Sequence, residues 1–132
     1  MFRLFSKSLT NQKLPFLVDI HSHLLPGLDD GVKSMEETIY ILKSMQNLGY
    51  QKVITTPHVM SDHYPNTTED IIINLAEVKK AVEKSGLTIQ LEAAAEYYLD
   101  EELISSLSGR KKLLTFHGNY LLFETSFLNK PA

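Results

Sequence analysis

The chain has 132 residues, 43% of them apolar and 22% charged, with a net charge of −3. That length and balance describe one soluble globular domain with a sizeable core, and the acidic balance argues against a general nucleic-acid binder. There is no cysteine, which excludes disulfides, thiolate metal sites and a cysteine nucleophile and leaves His, Asp and Glu as candidate ligands.

Residues 1–15 read as an N-terminal extension. Arg3, Lys7 and Lys13 interrupt Phe2, Leu4, Phe5 and Leu9, so the segment is too polar for a secretory signal. No apolar run approaches the roughly 20 residues that span a bilayer, and a cytoplasmic protein is expected. A domain is predicted over 16–132. It opens on Phe16, Leu17, Val18 and Ile20, an apolar run of the kind that forms a buried strand. His21 and His23 follow. Side chains at i and i+2 of an extended chain share a side, so both imidazoles can meet one metal ion. The same H-x-H also fits two ordinary polar residues of a surface loop. Pro26-Gly27 then breaks the chain, and Asp29 and Asp30 precede Gly31.

Ser34 with Glu37 three residues later predicts a capping box opening a helix over Met35–Leu48. Ile39, Leu42, Met45 and Leu48 are expected on its buried face, with Gly49 ending it. A strand is predicted over Tyr50–Thr55. The loop from Thr56 to Asn66 carries His58, His63 and Tyr64, and its eleven residues favour a functional role over a plain link. A second helix over Thr67–Ser85 buries Ile71, Leu75, Val78 and Val82, and Gly86 closes it. A third strand, Thr88–Ala95, ends in Glu96-Tyr97-Tyr98. Asp100 caps a short helix through Leu107, the basic turn at Arg110-Lys111-Lys112 reads as solvated, and a fourth strand, Tyr120–Phe123, delivers Glu124.

Strands alternating with helices indicate an α/β fold with a parallel sheet, open or closed into a barrel. Sites in such folds gather beyond the carboxyl ends of the strands. Four successive strands here end in a residue able to ligate a metal: His21 and His23, His58, Glu96, and Glu124. Nitrogen and oxygen donors of this kind suit manganese, iron or zinc.

The runs D-I-H-S-H-L-L-P-G-L-D-D-G, T-T-P-H (55–58), A-A-A-E-Y-Y (93–98) and L-L-F-E (121–124) closely resemble the polymerase and histidinol phosphatase (PHP) superfamily. Within it they resemble the bacterial CpsB/YwqE-type protein-tyrosine phosphatases of capsule and exopolysaccharide systems. The resemblance implies parallel β/α units of a distorted (β/α)7 barrel. It implies a divalent metal cluster, manganese first with iron or zinc as alternatives, held by His21, His23, Asp30, His58, Glu96 and Glu124. Glu96 would bridge ions, and Asp30 and His58 would take part in catalysis. The activity implied is metal-dependent hydrolysis of phosphotyrosine on protein, a bacterial tyrosine kinase being the expected substrate, without a covalent intermediate. His63 and Tyr64 are candidates for the substrate entrance, while Tyr97 and Tyr98 read as packing residues and His117 as structural or exposed. The family's later histidine and terminal D-x-H ligands have no counterpart here. The chain thus resembles roughly the first half of a member, and either a fragment or completion by homo-oligomer formation is expected. The alternatives are another PHP phosphoesterase, such as a histidinol phosphatase, and a non-catalytic assembly module.

Overall fold

The computed structural model describes residues 17–126, so the predicted N-terminal extension lies outside the described residues. The first strand, β1, is short, Val18–Asp19. It pairs in parallel with β2, Lys52–Thr55, and β2 pairs in parallel with β4, Gln90–Ala93. Contrary to the buried strand expected, Leu17, Val18 and Ile20 are each about half exposed. The reason is position: among the described residues β1 has one neighbour and forms the sheet edge.

The predicted loop over 56–66 is not a plain loop. His58–Val59 forms a strand, β3, and Met60 bridges back to Tyr64 in antiparallel fashion. Likewise Glu96–Tyr98 is a strand of its own, β5, rather than the tail of the third. A second parallel sheet runs β3-β5-β6, where β6 is Leu122–Glu124. The two sheets are joined without a turn. The N–H of Ala94 donates to the Thr55 carbonyl at 2.9 Å, and that of Glu96 to the Pro57 carbonyl at 3.0 Å. The chain therefore crosses a crease twice, at Thr56-Pro57 and at Ala94-Ala95. Proline has no N–H to give to the ladder, so a break there costs no donor.

Helix α1, Met35–Leu48, lies between β1 and β2 in the chain. Ser34 caps it through the Glu37 N–H, but the return half of the expected box is absent. The Glu37 carboxylate instead accepts from the Lys33 N–H at 2.7 Å. Leu42 is buried, whereas Leu48 is 62% exposed, against expectation. Steps of three fall short of a turn by about 60° each, so three of them carry Leu48 half a turn from Ile39. Thr38 takes the inward place and donates its hydroxyl to the Leu24 carbonyl at 3.1 Å. Helix α2, Thr68–Lys84, has steps of four, three and four, which stay on one stripe, and its four apolar residues are all buried. Thr67 and Asp70 form a complete capping box. These residues join Leu42, Val53, Ile89 and Leu91 in one core between the first two helices and the first sheet.

Helix α3, Glu101–Ser108, is capped by Asp100, which accepts from the Leu103 N–H at 2.9 Å and from the Ser61 hydroxyl at 2.9 Å. Partial burial opposes ionisation of Asp100, but these hydrogen bonds outweigh it and lower its pKa. Its contribution is therefore complete above the unfolded carboxylate's value near ~3.9 and is lost as pH falls through the folded one. Asp100→Ala should cost about 1 kcal/mol in urea unfolding at neutral pH. The difference from the parent chain should shrink below about pH 4.

Candidate metal centre

The crease between the sheets is where the chemistry-bearing side chains meet. His58 opens β3 and Glu96 opens β5, and the two are register partners. Glu96 is buried and lies at the centre of three imidazoles. Its Oε2 is 3.0 Å from His21 Nε2, 3.2 Å from His23 Nε2 and 3.4 Å from His58 Nδ1. Glu124, the last residue of β6, approaches His58 Nδ1 at 3.2 Å. Asp30 Oδ1 lies 3.6 Å from His58 Nε2. The six residues singled out as ligands by resemblance are thus brought together.

Hydrogen bonds from residues that sequence reasoning passed over hold this arrangement. The buried Thr55 hydroxyl donates to the Ser22 carbonyl at 2.8 Å and accepts from the Leu24 N–H at 2.9 Å. It pins the H-S-H segment from both sides of His23. The Asn66 amide donates to the carbonyls of Leu28 and His58, both at 2.8 Å, tying the first loop to β3. Asn74 of α2 donates to the Pro26 carbonyl at 2.8 Å. An asparagine near a loop carries no distinctive spacing, so nothing in the sequence pointed to these ties.

Asp29 and Asp30 point to different places. Asp30 faces the cleft and is exposed. Asp29 is buried and accepts from His23 Nδ1 at 2.7 Å, from the His58 N–H at 2.8 Å and from the Gly31 N–H at 2.9 Å. Burial pushes the Asp29 carboxyl up, but its hydrogen bonds from His23, His58 and Gly31 prevail and bring it to about 2. The Asp29 hydrogen bond raises the His23 pKa, against the opposing effect of burial.

The donor set suits a cation. Three overlapping triads, His21/His23/Glu96, His23/Asp30/His58 and His58/Glu96/Glu124, each have one donor atom per residue within 4.8 Å of the others. His58 Nδ1 is buried and makes no hydrogen bond, although two carboxylates lie nearby. A buried nitrogen without a donor or acceptor partner is costly, and a shared cation between it and the carboxylates would satisfy all three.

A cleft of about 450 Å³ adjoins the cluster and is walled by Asp30, His58, His63, Tyr64, Tyr98 and Glu124. The Tyr64 ring stacks on His58 with centroids 5.5 Å apart and planes at 14°, and His63 lies beyond it at 6.5 Å from Tyr64. Both residues therefore line the cleft. Buried Tyr97 accepts from the Leu114 N–H through its hydroxyl at 2.8 Å, a structural role as expected. His117 is exposed, with φ 46, in the turn that returns Phe116 to Tyr120.

A parallel α/β fold, creased so that imidazoles and carboxylates converge on overlapping triads, defines an α/β protein with candidate metal-binding groups beside an open cleft. The chain belongs to the capsular polysaccharide synthesis family CpsB/CapC, whose model matches residues 17–130. CapC from Staphylococcus aureus is 32% identical over 82% of this chain and 42% of its own length. The tyrosine-protein phosphatase CpsB from Streptococcus agalactiae is 30% identical over 69% of this chain and 37% of its own. Among solved structures, one from work on YwqE from Bacillus subtilis and CpsB from Streptococcus pneumoniae, described as unique metal-dependent tyrosine phosphatases, matches with a TM-score of 0.73. It is 25% identical, and the match covers 83% of this chain and 44% of that one. The chain spans less than half the length of these relatives. Among the described residues no helix is long and apolar enough to cross a membrane.

Proposed function

We propose that this chain carries part of the centre of a metal-dependent protein-tyrosine phosphatase. His21, His23, Asp30, His58, Glu96 and Glu124 hold divalent cations, manganese in first place and iron or zinc as alternatives. The observation that carries this reading is Glu96, a buried carboxylate within 3.4 Å of three imidazoles beside an open cleft. Bound divalent cations would supply charge stabilisation to the phosphate oxygens and lower the pKa of a water toward neutrality. The protein's own groups do the rest. Glu96 and Glu124 bring negative charge to offset the cations. His58 Nε2 would give a proton to the departing phenolate, with the Asp30 carboxylate 3.6 Å away to offset the charge of the imidazolium. Tyr64, stacked on His58, and His63 offer an aromatic wall to the phenol ring. This reading transfers the phosphoryl group directly to water, without a covalent intermediate.

The test is manganese-supplemented hydrolysis of a phosphotyrosyl peptide compared with histidinol phosphate. Turnover of the peptide, abolished by chelation and by His21→Ala, is the expected result. A preference for histidinol phosphate would overturn the tyrosine assignment.

The same reading takes the fold as part of a distorted (β/α)7 barrel. It takes phosphotyrosine on a cytoplasmic bacterial tyrosine kinase as the substrate. It also includes self-association. Among the described residues β1 and β6 each pair on one side only, and Leu17, Val18, Ile20 and Phe123 beside them are exposed. Light scattering at high concentration should report a dimer or larger, and a compact monomer would sink this element of the reading.

A further inference from the structure

We propose that Asp29 is a positioning residue rather than a ligand: it sets the tautomer and aim of His23 and ties that histidine to His58. The proposal rests on the metal-centre reading for its purpose, but its geometry stands apart from it. The Asp29 side chain is 1% exposed, and both its oxygens are committed. Oδ2 receives the His23 Nδ1–H at 2.7 Å and the His58 N–H at 2.8 Å, and Oδ1 receives the Gly31 N–H at 2.9 Å. A neutral imidazole has one N–H and one lone pair. With the proton held on Nδ1 by an ionised carboxylate, the lone pair lies on Nε2. That atom is 3.2 Å from Glu96 Oε2, and His23 belongs to two of the donor triads. The His58 N–H bond fixes the start of β3, so one carboxylate registers two histidines from separate segments of the chain.

The neighbouring residues are divided to match. Asp30 turns outward to the cleft, and its side chain is 68% exposed. Gly31 closes the turn against His23, where a side chain would not fit. In the D-D-G run the first carboxylate thus orients a histidine from behind, the second faces the cleft, and the glycine allows both.

The tautomer is read directly from the ¹⁵N shifts of His23 in the metal-free chain, followed upward in pH until they stop changing, because its pKa is raised. Protonated Nδ1 with a lone pair on Nε2 is the expected result in the unaltered chain. The opposite tautomer there would overturn the proposal without recourse to any variant. Asp29→Ala removes the oxygen that accepts from both His23 and His58, so His23 should shift toward the Nε2–H form. Manganese affinity by calorimetry should fall about 10–100-fold, as for other outer partners of a ligating histidine. Asp30→Asn should weaken manganese binding while leaving the His23 tautomer as it was. An unchanged tautomer in Asp29→Ala would overturn the proposal. If the tautomer shifts but the unaltered chain binds no manganese, the positioning role stands and the metal-centre reading fails.

Discussion

Glu96→Gln should reduce manganese affinity by more than about 100-fold, beyond the range seen when only an outer partner of a ligand is removed. Hydrolysis of phosphotyrosyl peptide should fall with it to background. The reason is that Glu96 serves two of the three triads and lies within 3.4 Å of three imidazoles. The amide keeps the shape but removes the charge that offsets a cation, and its NH₂ group offers no lone pair. Far-ultraviolet circular dichroism should be unchanged, because the Glu96 backbone keeps its ladder bond to Pro57. Glu124→Gln is a milder change, since among the described residues its carboxylate approaches one imidazole, His58, and belongs to one triad. Elemental analysis of both variants checks the ranking. Metal content in Glu96→Gln equal to that of the parent chain would remove the basis for the centre.

Gly31→Ala should destabilise the fold by about 2–3 kcal/mol, the upper part of the range for overpacking a tight site. An added Cβ would lie 2.4 Å from both His23 Cβ and the His23 carbonyl oxygen. That oxygen accepts the Val32 N–H at 3.2 Å, so backbone as well as side chain would have to move. The displacement falls on a ligand candidate, and manganese affinity should drop alongside stability. Urea unfolding with calorimetric metal titration measures both. Gly27, which has φ 75 and open space around it, makes a useful contrast. Gly27→Ala strains the backbone in the left-handed region but leaves His23 alone. It should therefore cost stability with little change in metal affinity.

The order of strands and helices, and the candidate ligands, could be read from the chain itself. Helix α2 declares itself through a Thr-Asp cap and apolar steps of four, three and four, because helical periodicity is a local property. The imidazoles and carboxylates stand out because the chain lacks the competing ligand, cysteine. Helix α1 was less legible, as equal steps of three rotate off a face and put Leu48 into solvent. What only the tertiary structure decided is the crease. The split of one apparent strand into β2 and β3, and of another into β4 and β5, depends on ladder bonds between segments about forty residues apart. The division of labour between Asp29 and Asp30 has the same origin. Residue type and spacing do not separate two identical adjacent carboxylates; the resemblance singled out Asp30, and burial against His23 and His58 supplies the physical difference. Local patterns report what a residue and its near neighbours prefer. Convergence of three imidazoles from two separate segments onto one buried carboxylate is a long-range outcome of packing, and only the folded chain displays it.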